Sequence, residues 1–101
     1  MMLHFRPEYV RAILSGRKRS TIRIGARHVR PGMVIVLAAG GKPFAKAKVV
    51  SVKRKRIREI TEDEIRKEGF SDFAELYAAL RSHYPGISLD DEVTIIEWQL
   101  I

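Results

Sequence analysis

The spacing of apolar and polar positions divides the chain into short elements. Met1 to Phe5 reads as a strand, and Pro7 suits the first turn of a following helix, where its missing N–H would have had no partner. Val10, Ile13 and Leu14 recur at the i, i+3, i+4 spacing of one buried helical face. Gly16 stands where a helix C-terminus accepts a left-handed residue, so this helix is expected to stop near Ser15. Arg17 to Arg23 holds a single apolar residue, Ile22, and reads as a loop passing into a short strand. Pro31-Gly32 marks a turn, and the apolar run Met33 to Ala38, bounded by Gly40-Gly41, predicts the first strand of a hairpin. Its partner is expected from Phe44 to about Ile57. There Ala45, Ala47 and Val49 alternate with Lys46 and Lys48 before Val50 and Val52 switch the phase, which predicts a bulge near Val49-Val50.

The second half reads differently. Thr61-Glu62-Asp63-Glu64 has the pattern of a capping box, predicting a short acidic helix to about Glu68 that ends at Gly69. Ser71 is placed to cap a second helix, with Phe73, Leu76, Tyr77 and Leu80 at helical spacing before Tyr84-Pro85-Gly86 stops it. Val93 to Ile101 predicts a final strand with Ile96, Trp98 and Leu100 on one face and Glu97 and Gln99 on the other. The expected order is β-α-β-β-β-α-α-β. Several strands, few helices and successive hairpin signals predict an α+β fold, a small and largely antiparallel barrel with helices packed around it.

Composition narrows the function. The 101 residues fit one domain, 1–101, with apolar residues for one core. The chain has no cysteine, which removes disulfides and thiolate metal sites, and the cytoplasm is the expected location. No apolar run approaches the roughly 20 residues that span a bilayer, and Met1 to Arg6 lacks the layout of a signal peptide, so no membrane partner is expected. His4, His28 and His83 have no metal-ligand spacing, and no glycine-rich phosphate loop is present, so neither a metal nor another cofactor is expected. His83, beside Tyr84 at a helix end, reads as a structural cap.

Charge adds a direction. The net charge of +7 is split unevenly: residues 1–58 carry 16 basic residues and one acid, Glu8, whereas residues 59–101 carry three basic residues and 11 acids. A segregated positive field suits a phosphate-bearing partner such as RNA. Within it, Lys18, Thr21 and Arg23 crowd into six residues after a helix end. On an extended stretch Thr21 and Arg23 share a side, while Lys18 lies in the turn. Burial among Arg17, Arg19 and Arg23 would disfavour the ammonium form of Lys18 and let it act as a base; Thr21 could then serve as a nucleophile, and Arg23 could hold a phosphate or an oxyanion. The same residues also read as a solvated basic turn.

The run Ile13-Leu14-Ser15-Gly16-Arg17-Lys18-Arg19-Ser20-Thr21-Ile22-Arg23 resembles the signature Gly-x-Lys-x-x-(Glu or Thr)-x-Arg of the ASCH domain, an RNA-associated family with a PUA-like barrel. The resemblance extends over essentially the whole chain, through the Pro31-Gly32 turn, the Tyr84-Pro85-Gly86 stop and the final strand. It implies a small PUA-like β-barrel with about three flanking helices, holding RNA or a nucleoside in a basic cleft. Within the family the chain is similar to small bacterial amidohydrolases that remove the acetyl group from N4-acetylcytidine. Their catalytic residues are a lysine, a threonine three positions later and a downstream glutamate that precedes the second helix. Carried over, these imply Lys18 as base, Thr21 as nucleophile and Glu68 as the group orienting lysine or water, with Glu62 and Glu64 as neighbouring alternatives. Gly16, Arg17, Arg23 and Tyr84 would bind the substrate, and Phe70 or Tyr84 would stack on its base. Trp98 reads as core. Lys53-Arg54-Lys55-Arg56 exceeds what a nucleoside requires and suits polymeric RNA, or else an edge strand protected by charge. Two functions therefore stand: an amidohydrolase acting on N4-acylated cytosine, and a non-catalytic RNA-binding module using the same cleft.

Overall fold

The computed structural model describes residues 1–26 and 28–101. Strands β1 (Met2–Phe5), β2 (Ser20–Arg23), β3 (Val34–Ala39), β4 (Lys42–Arg56) and β5 (Glu92–Leu100) form one sheet in the order β1-β3-β4-β5-β2. A 3₁₀ turn (Pro7–Tyr9) leads into helix α1 (Val10–Leu14), and α2 (Glu62–Lys67) and α3 (Phe73–His83) lie between β4 and β5. The expected element order is thus the observed one. Among the described residues only β1 and β3 run parallel, from Met2 opposite Val36 to Phe5 opposite Ala39; the other pairs are antiparallel. The sheet curls into a half-barrel of α+β type.

β4 determines that shape. Its 15 residues are long enough to pair with β3 along the first half and with β5 along most of its length. The register of β4 on β5 shifts between Val49 and Ser51, at the predicted bulge, so that Val49 faces the core while Val50 is 46% exposed. A bulge bends its strand and increases the local twist, which curls the sheet.

Two apolar clusters fill the molecule where the composition suggested one. The first lies inside the curl and gathers Leu3, Phe5, Ile13, Ile35, Leu37, Val49, Ile96 and Trp98. The second lies between the sheet and the acidic-half helices and gathers Ile22, Ile57, Ile65, Leu76, Leu80, Val93 and Ile95. β5 separates them, so Ile95 and Ile96 are both buried, on opposite faces of the strand. A strand covered on both sides loses the simple alternation expected of it.

Three local expectations are corrected. Ile13 is buried as expected, but Leu14 is 54% exposed and Ala12 is buried in its place. The 3₁₀ entry and a helix of only five residues present a narrower face than a regular helix would. Leu100, near the chain end, is 37% exposed and lies beyond the core-facing run of β5. The cap of α3 is Asp72, whose carboxylate accepts from the Glu75 N–H at 2.9 Å, while the Ser71 N–H donates to the Glu75 carboxylate.

Candidate active site

The signature loop is fastened by backbone bonds before any side chain acts. After α1, Gly16 turns the chain at φ +82°, and the Lys18 N–H reaches back to the Ala12 carbonyl at 2.9 Å. The Arg19 N–H donates to the Lys67 carbonyl at 2.8 Å, and the Arg19 carbonyl accepts from the Trp98 N–H at 3.0 Å. The loop is therefore clamped between the last turn of α2 and β5. Gly69, which ends α2 at φ +91°, packs against it: a Cβ there would stand 3.4 Å from Lys18 Cβ. The capping box at the other end of α2 fixes that helix, with Thr61 Oγ1 accepting from Glu64 N–H at 3.2 Å and Glu64 Oε1 accepting from Thr61 N–H at 2.9 Å.

This packing buries a charged pair. Lys18 and Glu68 are 4% and 5% exposed, and Lys18 Nζ lies 3.1 Å from Glu68 Oε2. The ammonium also donates to the Ser20 carbonyl at 2.8 Å and to the Glu68 carbonyl at 3.4 Å. Ser20 Oγ donates to Glu68 Oε1 at 2.6 Å, a length typical of charge-assisted bonds. Both carboxylate oxygens are thus engaged, and an ion pair so satisfied offsets much of its desolvation cost. The ammonium also sits 5.3 Å from the Tyr9 ring centroid, within cation–π range.

Two residues along, Thr21 and Arg23 share a face of β2 as the period of a strand requires. Arg23 Nε donates to Thr21 Oγ1 at 3.0 Å and its Nη2 donates to the His4 carbonyl at 2.7 Å; its guanidinium carbon lies 5.0 Å from the Phe5 ring centroid. Burial lowers the proton affinity of Arg23, opposed by Tyr84 and Glu68. Across the opening, Tyr9 Oη and His83 Nε2 are 3.3 Å apart. Burial raises the Tyr9 pKa, with Arg6 opposing. Burial also lowers that of His83, reinforced by Arg6, Arg23 and Lys18, which disfavours its imidazolium form.

These groups surround a cleft of ≈ 270 Å³ at the seam between the two apolar clusters. Its walls include Phe5 and Tyr9 on one side and Phe70, Leu80 and Tyr84 on the other; Lys18, Thr21, Arg23 and Glu68 also line it. The volume is near the lower end of small-molecule sites, about 300 Å³, and suits one base or nucleoside.

The family model of the ASCH domain matches residues 2–101. The chain belongs to the ASCH family. Among solved structures, this ASCH domain is similar to a hypothetical protein, with 26% identity over 99% of this chain and 97% of the other at a TM-score of 0.79. It also superposes on the ASCH domain from Lactobacillus crispatus JV V101, with 23% identity over 89% of this chain and 68% of that one at a TM-score of 0.74. The ASCH protein from Zymomonas mobilis has the same fold, with 16% identity, 97% and 65% coverage and a TM-score of 0.74. No curated protein matches the chain.

Within the ASCH frame, the site residues read from the sequence separate into two groups. Lys18, Thr21, Arg23, Glu68, Phe70 and Tyr84 meet at the cleft. Of the three candidate glutamates, Glu62 is exposed and Glu64 is buried facing β4; Glu68 faces the cleft. Gly16 and Arg17 are exposed and do not line it; Gly16 acts through the turn it permits. The basic run lies elsewhere. Lys53 and Lys55 stand 3.7 and 2.9 Å from the Glu64 carboxylate, Arg54 borders a separate depression with Arg30 and Pro31, and Arg56 is exposed at the strand end. Trp98 is core at 2% exposure and meets Phe5 edge-on.

Several site residues were not read from the sequence. Ser20, 1% exposed, completes the carboxylate of Glu68, and its only sequence signal is adjacency to Thr21. Arg6 and Tyr9 precede the signature and carry none. His83, read as a structural cap, is the last residue of α3 and also lines the cleft beside Tyr9. None of the described helices is long and apolar enough to cross a membrane, and no group of metal-ligating side chains occurs among the described residues.

Proposed function

We propose that this ASCH domain acts on RNA-derived cytosine bearing an acyl group on N4, hydrolysing the exocyclic amide in the manner of an N4-acetylcytidine amidohydrolase. The observation that carries this reading is the convergence of Lys18, Thr21 and Glu68 at the base of one aromatic-walled cleft of nucleoside size. Aromatic walls favour a flat base, and the polar side chains among them could hold its exocyclic amide.

In this mechanism Thr21 Oγ attacks the acyl carbonyl. Its proton passes to Lys18 Nζ, which must first give a proton to Glu68 across their 3.1 Å contact. Lys18 then delivers the proton to the departing N4 nitrogen, leaving the acyl group on Thr21 Oγ. Water, losing a proton to the same pair, cleaves that ester and restores the threonine. Arg23 Nε, already donating to Thr21 Oγ1, stabilises negative charge developing on that oxygen.

One observation favours a second reading, recognition without chemistry. Among the described residues Lys18 Nζ donates to Ser20 and Glu68 and not to Thr21, whose hydroxyl is held by Arg23. A base reaches its proton donor directly or through one water, a contact that can tighten when substrate binds. Incubation with N4-acetylcytidine, following acetate by chromatography, separates the two. The expected result is release by the wild type and loss of at least a hundredfold in rate in both Thr21→Ala and Lys18→Met. Binding of the nucleoside without acetate release would leave recognition as the function.

A further inference from the structure

The cleft carries more positive charge than its ion pair uses. Lys18 and Glu68 neutralise each other, and the remaining fully charged side chains lining the cleft are Arg6 and Arg23. Neither has a carboxylate partner among the described residues. Arg6 donates to Ser82 Oγ at 3.1 Å and, at 3.5 Å, to the Ser82 carbonyl, while Arg23 donates to Thr21 Oγ1 and the His4 carbonyl. Every one of these acceptors is neutral.

A half-buried guanidinium without a counter-charge is costly, and an anion arriving there recovers part of that cost. The field is felt locally: Arg6, Arg23 and Lys18 all reinforce the effect of burial in disfavouring the imidazolium of His83, and only Glu8 opposes them. Spare donors are available as well. Arg6 Nε and Arg23 Nη1 have no hydrogen-bond partner among the described residues. Two positive charges match the about −1.5 to −2 that a phosphate monoester carries at pH 7.

We propose that Arg6 and Arg23 form an anion subsite beside the base pocket, and that the ligand is a pyrimidine nucleoside monophosphate with its phosphate held between the two guanidinium groups. The inference rests on the base-binding reading above for the occupant of the aromatic walls, and on the unpaired arginines for the phosphate. Arg6 thereby acquires a role that the signature does not contain.

Titration calorimetry on the intact chain at low salt tests it, using cytidine, cytidine 5′- and 3′-monophosphate, and inorganic phosphate, none of which is an amide. At least one monophosphate is expected to bind ten times or more tightly than cytidine. Arg6→Gln, checked for folding by circular dichroism, should reduce that advantage below threefold, and Arg6→Lys should restore most of it. Equal affinity for cytidine and both monophosphates overturns the subsite while leaving base binding intact. An advantage that survives Arg6→Gln also overturns it. Binding of inorganic phosphate that Arg6→Gln abolishes, with no binding of cytidine, supports the subsite and removes the cytosine reading. Failure of all four ligands overturns both.

Discussion

At the scale of single residues, the site depends on one buried charge pair. Glu68 accepts from Lys18 and Ser20 with its two oxygens, so Glu68→Gln leaves the ammonium of Lys18 buried without a counter-charge. Removing one member of a buried pair costs about 3–5 kcal/mol. Urea denaturation of Glu68→Gln is expected to show a loss of that order, whereas Lys18→Met combined with Glu68→Leu should recover part of it. Equal losses in the single and double variants would mean that the unpaired ammonium is not the source of the cost. His83 gives a second residue-level expectation. Burial and then Arg6, Arg23 and Lys18 lower its proton affinity in the folded chain, with Glu8 opposing and the Tyr9 hydroxyl 3.3 Å away. The unfolded chain binds this proton near pH 6.5, the folded chain only at lower pH. Between those values the unfolded state holds more protons, so this contribution is present above about pH 6.5 and lost as pH falls below it. Stability measured from pH 7.5 to 5 should therefore decline less steeply in His83→Gln than in the wild type.

At the scale of elements, α2 holds the signature loop through its end and not through a side-chain face. Gly69 has φ +91° and lies against Lys18, so Gly69→Ala adds backbone strain of about 1–2 kcal/mol and a Cβ in 3.4 Å contact with Lys18 Cβ. The variant should lose stability of that size, and acetate release should fall further than the lost folded population explains; unchanged turnover per folded molecule would separate the glycine from the site. The same element marks where the sequence could be read. Its capping box, its terminal glycine, the left-handed Gly16 and the bulge after Val49 are local signals, each written in a few adjacent residues, and all appear where expected. The expectations for Leu14, Ser71 and Leu100 failed because helix phase, cap choice and chain-end exposure depend on what packs alongside. Lys18, Thr21 and Arg23 were legible because they fall within six consecutive residues. Ser20 joins Glu68 across 48 positions and Tyr9 joins His83 across 74, and periodicity within one element carries no trace of such partners.

At the scale of the molecule, the division into a basic and an acidic half does not survive folding. Lys53 and Lys55 close on Glu64, and Arg58 meets Asp90 at 2.7 Å. The acidic helices thus fold back over part of the basic strand, and charge that looks available in the sequence is locally neutralised. This changes what Lys53 and Lys55 can contribute to RNA. A lysine that replaces Glu64 with a phosphate releases a counterion from the RNA but exposes a carboxylate that is 7% exposed, and the exchange gains little. Each phosphate contact on a single strand contributes about 0.7 to the slope of log affinity against log salt, so two independent contacts would contribute about 1.4. Fluorescence anisotropy of single-stranded RNA across a range of KCl concentrations should therefore show Lys53→Gln/Lys55→Gln changing the slope by well under that value. A drop of the full size would return the strand to the phosphate-tracking role that its composition suggested. A small drop, together with a large effect of Arg6→Gln, would locate the productive positive field at the cleft, where the arginines have no acidic partner to release.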